Sequence, residues 1–292
     1  IKEIDKRDIP KSNKIIPKFK FKDCFPSYYK FETSKFQNFV KLLGEVEVNL
    51  NKKQDFEFIF NETVYTIAKG GIHSNDKPRI IKPKEDEVLI DADIASQYPS
   101  SIIKRELFPR HLGKEWLIGY SEIAKRRNQA KKDKKTSIAE SFKLSLNGGG
   151  FGKTNEETSW QYDPLVTYFT TIGNQIEILM LIEKLETNGI HCISANTDGI
   201  ICLFPSRELD KYYRLCKEWE SQVGNNILGN LEYCKYDFIV QTSVNDYLAI
   251  KSNGDVKLKG DFVIDFELYK NKSNRIIPIA LKEYFVNNIP IE

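Results

Sequence analysis

Behind the turn-forming Pro83-Lys84-Glu85-Asp86, the residues Val88, Leu89 and Ile90 form an unbroken apolar run. That run predicts a strand over Glu87–Asp91 or slightly beyond, with a change of chain direction at Pro99. Farther on the apolar period lengthens. A helix is predicted from Ser121, as N-cap, to about Lys132, and a second from Ser137, whose S-x-x-E spacing to Glu140 is that of a capping box. Gly148, Gly149 and Gly150 are expected to end it, so the pair reads as a helical hairpin with a short basic tip. A longer helix is predicted from Asp163-Pro164, an N-cap followed by a first-turn proline, through the apolar stripe of IEILMLIEKLE to Gly189. In IHCISANTDGIICLF two apolar runs flank Asn196, Thr197, Asp198 and Gly199, which predicts a tight β-hairpin. A helix over Ser206 to Val223 follows, then strands in YLAIKS and VKLKGDF around Asn253-Gly254-Asp255. Helices and strands alternate without βαβ order and no internal repeat shows, so the expected class is α+β with an antiparallel sheet.

Composition narrows the class. At about 150 residues per domain, the 292 residues make two domains or one elaborate domain, and 40% hydrophobic content excludes a disordered or collagen-like chain. No apolar run approaches the roughly 18 residues of a membrane span, and the N-terminal IKEIDKRDIP is too polar for a secretory signal, so no membrane partner is expected. The five cysteines are odd in number and form no CxxC pair, which argues against a disulfide framework or zinc site and for a reducing, cytoplasmic setting. Residue 1 is Ile and the one methionine is Met180, as expected of a fragment or processed chain. The net charge of +3 does not by itself argue for a nucleic-acid partner. Its distribution says more: eight basic residues between Lys125 and Lys143 face only Asp133 and Glu140, as on a solvated helix face or an anion-binding one. The first thirty residues are also basic and read as an irregular connecting arm.

Two carboxylates carry the candidate chemistry. Asp93 lies just past an apolar strand and Asp198 in a hairpin turn, so both can converge at one sheet edge. Rigidly held carboxylate oxygens suit Mg²⁺, and a pair of ions bridged by carboxylates suits phosphoryl chemistry. Asp-Gly is also ordinary hairpin wording. Asp91, two residues before Asp93, shares its face of the strand and reads as a further ligand or a strand-end residue. His73 reads as a turn or hydrogen-bonding residue.

The wording around these residues is more specific. Asp93-Ile94-Ala95-Ser96-Gln97-Tyr98-Pro99-Ser100 resembles motif A of family B DNA polymerases, D-x-x-S-L-Y-P-S, with Gln97 for Leu. Lys143-x-x-x-Asn147 followed by Phe151-Gly152 resembles motif B, K-x-x-x-N-S-x-Y-G, with Phe for Tyr and one extra residue. Thr197-Asp198-Gly199 resembles the end of motif C, Y-x-D-T-D-S, with Asn196 for the first Asp, Ser194 for Tyr and Gly199 for Ser. The resemblance covers roughly Val64 to the C-terminus, and the NTDG wording is similar to polymerases of bacteriophages and mobile elements, which implies a host-cell cytoplasm.

The resemblance implies a right-hand polymerase palm with an antiparallel sheet, a helical fingers hairpin and the start of a thumb. Residues 1–86 would be an N-terminal arm and approach to the palm, 87–117 and 154–250 the palm, 118–153 the fingers, and 251–292 the palm-to-thumb boundary. It makes Asp93 and Asp198 the catalytic, metal-binding pair with the carbonyl of Ile94 as a further ligand, for two Mg²⁺ ions with Mn²⁺ as a substitute. Arg127, Lys131, Lys143 and Asn147 would meet the nucleotide triphosphate, with Ser96 and with Tyr98 beneath the sugar. Gly70-Gly71 resembles the Gly-rich segment before motif A that touches template in some relatives, or is a plain turn, and Asn245-Asp246-Tyr247 followed by Lys257-x-Lys259-Gly260 resembles the K-x-Y region that holds the primer duplex. The implied partners are primer-template DNA, a dNTP and replication accessory proteins. The D-x-E at Asp55-Phe56-Glu57 lacks the other proofreading carboxylate motifs, so no proofreading domain is expected. The 50 residues between motifs A and B (143 − 93) leave little room for the insertion of protein-primed relatives. Two other readings stay open: a catalytically impaired module that binds primer and template, and another two-metal nucleotidyltransferase.

Overall fold

The apolar run at Glu87 becomes the middle of a large sheet in the computed structural model, which describes residues 12, 16–224, 228–264 and 276–290. A 3-10 turn, Phe21–Cys24, leads to α1 (Ser34–Glu45) and then to β1 (Phe56–Phe60), β2 (Thr63–Ala68), β3 (Gly71–Ser74), β4 (Arg79–Ile81) and β5 (Glu87–Ile94). The helices α2 (Gln97–Lys104), α3 (Gly113–Lys132), α4 (Thr136–Leu144) and α5 (Pro164–Glu186) precede the hairpin of β6 (His191–Asn196) and β7 (Gly199–Pro205). After α6 (Leu209–Val223) come β8 (Leu231–Ser243), β9 (Asp246–Lys251), β10 (Val256–Lys259) and α7 (Ile276–Asn287). The sheet runs β1-β2-β3-β6-β7-β5-β8-β9-β10, with β4 also on β8. Every pairing is antiparallel, so the fold is α+β, as expected.

The reason β5 reads as a continuous apolar run is that both of its faces are covered. Val88, Ile90, Ala92 and Ile94 point to the main core, with α5, α6 and α1, while Leu89 joins Ile201, Tyr236 and Tyr247 on the other face. Burying each large aliphatic side chain contributes roughly 1.5–3 kcal/mol, and this fixes the register: Asp91 and Asp93, at odd positions with Leu89, turn away from α5. Asp163 caps α5 by accepting from the Leu165 N–H at 3.3 Å, and Pro164 opens the helix.

The expectation that no run is long enough to span a membrane is corrected here: α5, 23 residues long, is long and apolar enough to do so. However, 89% of its apolar window is buried inside the protein, as a helix gripped by a sheet on one side and by α2 and α6 on others must be.

Three helix boundaries differ from the sequence reading. α3 starts at Gly113, because Trp116, Leu117 and Tyr120 pack with Ile102 and Leu146 in a small second core and extend the helix upstream of Ser121. α4 starts at Thr136 without a side-chain cap, and Glu140 pairs with Lys143 at 3.3 Å instead of forming a box with Ser137. The glycine run does not stop the helix. Ser145–Phe151 continues as a π-helix, in which Gly150 allows the Tyr120 ring to lie against the backbone, and Gly152–Asn155 as a 3-10 turn. Of the basic arm, residues 1–11 and 13–15 lie outside the described residues, as do 265–275 and 291–292 of the expected start of the thumb.

Gly260, singled out as a DNA contact, has a local structural duty. Its φ is +59°, and a Cβ there would collide with the Asp246 carboxylate and lie 2.5 Å from the Asn245 carbonyl oxygen. Gly260→Ala is therefore expected to lower the free energy of unfolding by roughly 2–4 kcal/mol, measured by urea denaturation. An unchanged midpoint would show that the β9–β10 region yields freely.

Candidate active site

Antiparallel pairing of β5 with β7 sets Asp93 opposite Gly199, and pairing of β6 with β7 closes the turn Thr197-Asp198 between Asn196 and Gly199. The turn is stitched to its neighbours at both ends. The Ile94 N–H donates to the Asp198 carbonyl at 2.7 Å, and the Thr197 N–H to the Ile72 carbonyl at 2.7 Å. Thr197 is held at φ +35°, a conformation that β-branched residues adopt only under constraint. Besides that backbone bond, His73 Nε2 lies 3.3 Å from Thr197 Oγ1.

Asp93 opens into two adjoining cavities. One of about 290 Å³ is lined also by Asp198, Asn196, Tyr247 and Lys259, the other of about 560 Å³ by Glu232, Lys235 and Lys251. Among the described residues its carboxylate has no hydrogen bond or ion pair, although protein crowds its remaining sides. That crowding, then the charges of Asp198 and Asp91, pushes Asp93 up to about 7. Burial raises Asp198 as well, against the pull of Lys259. A Cβ on Gly199 would lie 3.0 Å from Asp93 Oδ1 and 3.2 Å from the Ala92 carbonyl oxygen, so a glycine there lets the Asp93 carboxylate lie close against the β7 backbone. Two crowded carboxylates that line one cavity and, among the described residues, form no ion pair fit a divalent ion. Among the described residues no set of three His, Cys, Asp or Glu stands ready to hold a metal, so the carboxylate pair would need a carbonyl, water or substrate oxygen to complete it.

Asp91 is engaged elsewhere. Its Oδ2 accepts from Tyr236 Oη at 2.8 Å and Lys257 Nζ at 3.0 Å, and Lys257 also lies 3.1 Å from the Tyr236 hydroxyl. Burial works against the charge of Lys257, yet Asp91 and Tyr247 together outweigh it and raise its pKa. The ammonium sits 5.8 Å from the Tyr236 ring centre and 5.7 Å from that of Tyr247. This pair ties β5 to β10 across β8 and β9. Asn196, where motif C has a carboxylate, is also engaged: its Nδ2 donates to Asn245 Oδ1 at 3.1 Å and its Oδ1 accepts from Thr197 Oγ1 at 3.2 Å.

Other residues singled out from the sequence fall into two groups. Ser96, left-handed at φ +52°, accepts a hydrogen bond from Arg127, which is 8% exposed and whose Nε has no partner. The Tyr98 hydroxyl donates to the Gly70 carbonyl at 2.7 Å, its ring meets Phe151 at 4.8 Å, and Gly71 packs on Thr197. Tyr247 and Lys259 line the smaller cavity with Asp198. Lys131, Lys143 and Asn147 are exposed, and no hydrogen bond or ion pair joins them to the carboxylates; Lys143 reaches Glu140 instead.

Sequence reasoning missed the Lys257–Tyr236 support of Asp91, for which the only signal was the K-x-K spacing to Lys259. It also missed Gln161, which accepts from Trp116 Nε1 at 2.7 Å and donates to the Gly149 carbonyl at 2.8 Å, pinning the glycine run. No local pattern marks that role.

No protein-family model matches the chain, and no curated protein matches it. Among solved structures it is similar to the family B DNA polymerase from the hyperthermophilic archaeon Pyrobaculum calidifontis, at 15% identity and a TM-score of 0.48 over 77% of this chain. The chain spans 32% of that structure's length.

The raised Asp93 carboxyl makes stability depend on pH, and a cation bound beside it would change that dependence. Asp93 titrates at about 7 when folded, against the ordinary 3.8. Between those values the folded state holds the extra proton, so stability falls as pH rises through the window. Mg²⁺ should therefore raise Tm more at pH 8 than at pH 5 in a thermal melt, and Asp93→Asn should flatten both dependences. Equal Tm with and without Mg²⁺ at pH 8 would count against a cation site.

Proposed function

We propose that this chain is the palm and fingers of a family B DNA polymerase that extends a primer on a DNA template. The observation that carries the reading is the meeting of Asp93 and Asp198, from two motifs 105 residues apart (198 − 93), at one cavity where neither forms an ion pair among the described residues. In the reaction the primer 3′-oxygen bonds to the α-phosphorus of a dNTP, the bond from that phosphorus to the bridging oxygen breaks, and pyrophosphate leaves. Mg²⁺ bound to Asp93, Asp198 and the Ile94 carbonyl would supply charge stabilisation for the attacking and leaving oxygens.

The chain's own residues bind and orient. Arg127 is anchored to Ser96, three residues from Asp93, and its unpartnered Nε suits a phosphate oxygen. Lys131, Lys143 and Asn147 stand on the exposed side of the helical hairpin, where a triphosphate can draw them in. The motif B reading also accounts for its extra residue: a π-helix takes up one more residue per turn than an α-helix, and it brings Phe151 to the ring of Tyr98. Residues 87–117 and 154–250 are then the palm, 118–153 the fingers, 1–86 the approach to the palm and 251–292 the boundary with the thumb. Asn196 does not argue for a module without catalysis, because its amide is spent on Asn245 and Thr197.

Primer extension with Mg²⁺ tests the reading. Asp93→Asn and Asp198→Asn should each lower extension about a thousandfold or more while the fold survives. Wild-type extension in Asp198→Asn would overturn the assignment, and extension independent of template sequence would favour another two-metal nucleotidyltransferase.

Sugar choice gives a second test. The ring of Tyr98, braced by Phe151, is proposed to lie under the sugar, so Tyr98→Val should raise ribonucleotide use relative to deoxynucleotide about tenfold. The readout is the ratio of kcat/KM for dATP and ATP opposite a templating T. Tyr98→Phe keeps the ring and should leave that ratio little changed, and an unchanged ratio in Tyr98→Val would place sugar choice elsewhere.

A further inference from the structure

On the α5 side of the sheet, away from the carboxylates, Phe25, Tyr29, Lys30, Phe31, Gln37 and Lys41 line a groove of about 420 Å³. Its inner wall is aromatic: Phe25 and Phe31 are 9% and 6% exposed and belong to the main core. Tyr29 stands on them, 5.4 Å from the Phe25 ring and 6.4 Å from that of Phe31, yet remains 43% exposed. Its hydroxyl has no partner among the described residues, so nothing in the fold requires the ring to face water.

The charges around the ring are unequal. Lys30 and Lys41 are exposed and, among the described residues, have no acidic partner. The one acidic residue lining the groove, Glu45, is bound by Lys20 at 2.7 Å and Lys22 at 2.9 Å and has no charge to spare for them. Gln37 donates to the Phe31 carbonyl at 2.9 Å, leaving its side-chain oxygen free. The segment is also held firmly: α5 supplies Glu183, which accepts from Thr33 N at 2.9 Å and Thr33 Oγ1 at 2.7 Å, and Glu177, which accepts from the Tyr28 hydroxyl. Arg105 donates to the Cys24 carbonyl at 2.7 Å.

An open aromatic face flanked by unpaired ammonium groups, on a pre-formed platform, matches a nucleobase with its flanking phosphates. The bases of a duplex are already stacked, so the complementary ligand is single-stranded. We propose that this groove binds an unstacked nucleotide of single-stranded DNA, with Tyr29 under the base and Lys30 and Lys41 on the phosphates. It is a second nucleic-acid contact, on the opposite side of the sheet from the carboxylates, and it stands without the polymerase reading.

The test is fluorescence anisotropy of a labelled twenty-nucleotide oligo-dT with the full chain. Tyr29→Ala should weaken binding about tenfold, whereas Tyr29→Phe should bind as wild type, since only the ring is used. The Lys30→Gln, Lys41→Gln double variant should reduce the slope of log affinity against log salt by about 1.4, the value for two phosphates of a single strand. Affinity for a blunt duplex of the same length should be insensitive to all three changes. Unchanged oligo-dT affinity in Tyr29→Ala would overturn the proposal, as would an unchanged salt slope or an equal loss on the duplex. Tyr29 and Asp198 line different cavities, so oligo-dT binding by Tyr29→Ala tests this site and primer extension by Asp198→Asn tests the polymerase reading, and the two failures are told apart.

Discussion

Asp93 and Asp198 line one cavity, the charge of Asp198 adds to the crowding of Asp93, and the surrounding strands hold the two carboxylates there. Left alone, two crowded carboxylates would separate or keep a proton. They cannot separate, because β5 is locked between β7 and β8 and its even-numbered side chains are packed under α5. The favourable burial of Val88, Ile90 and Ile94 thus holds Asp93 in an electrostatically unfavourable place. A divalent cation bound there would relieve the repulsion without moving the backbone.

The nearby residues are consistent with that constraint. Asp91 would be a third negative charge on the same face, and Lys257 with Tyr236 neutralises it. Asn196 would be a fourth in the motif C wording, but here it is a neutral amide fastened to Asn245. Thr197 is kept in a left-handed conformation by Ile72 and His73, and that turn aims the Asp198 carbonyl back at Ile94. Strain, an ion pair and an amide bridge are spent on one result: two carboxylates facing one cavity.

The basic helices are organised differently. Arg127 is buried and fixed to Ser96, while Lys131, Lys143 and Asn147 stay in water. The site therefore has a rigid half on the sheet and a solvated half on α3, α4 and the π-helix. Gln161 and Trp116 fasten the glycine run at the junction of the two.

The sequence alone determined the elements whose signals are local. β5, the β6–β7 hairpin and the start of α5 follow from an unbroken apolar run, an Asn-Thr-Asp-Gly turn and an Asp-Pro cap, and the motif wording singled out Asp93, Asp198, Ser96, Arg127 and Tyr98. It misjudged α5 as too short an apolar run for a membrane and ended α4 at its glycines, because burial on every side and the fit of Gly150 to Tyr120 are decided by distant residues. Only the tertiary structure decided that Asp91 belongs to Lys257, that Asn196 belongs to Asn245 and that Gly260 is required by its turn. Each of those contacts joins residues that are far apart in the chain or depends on a backbone angle, and a side chain's partner is set by which strands become neighbours, which no local pattern encodes.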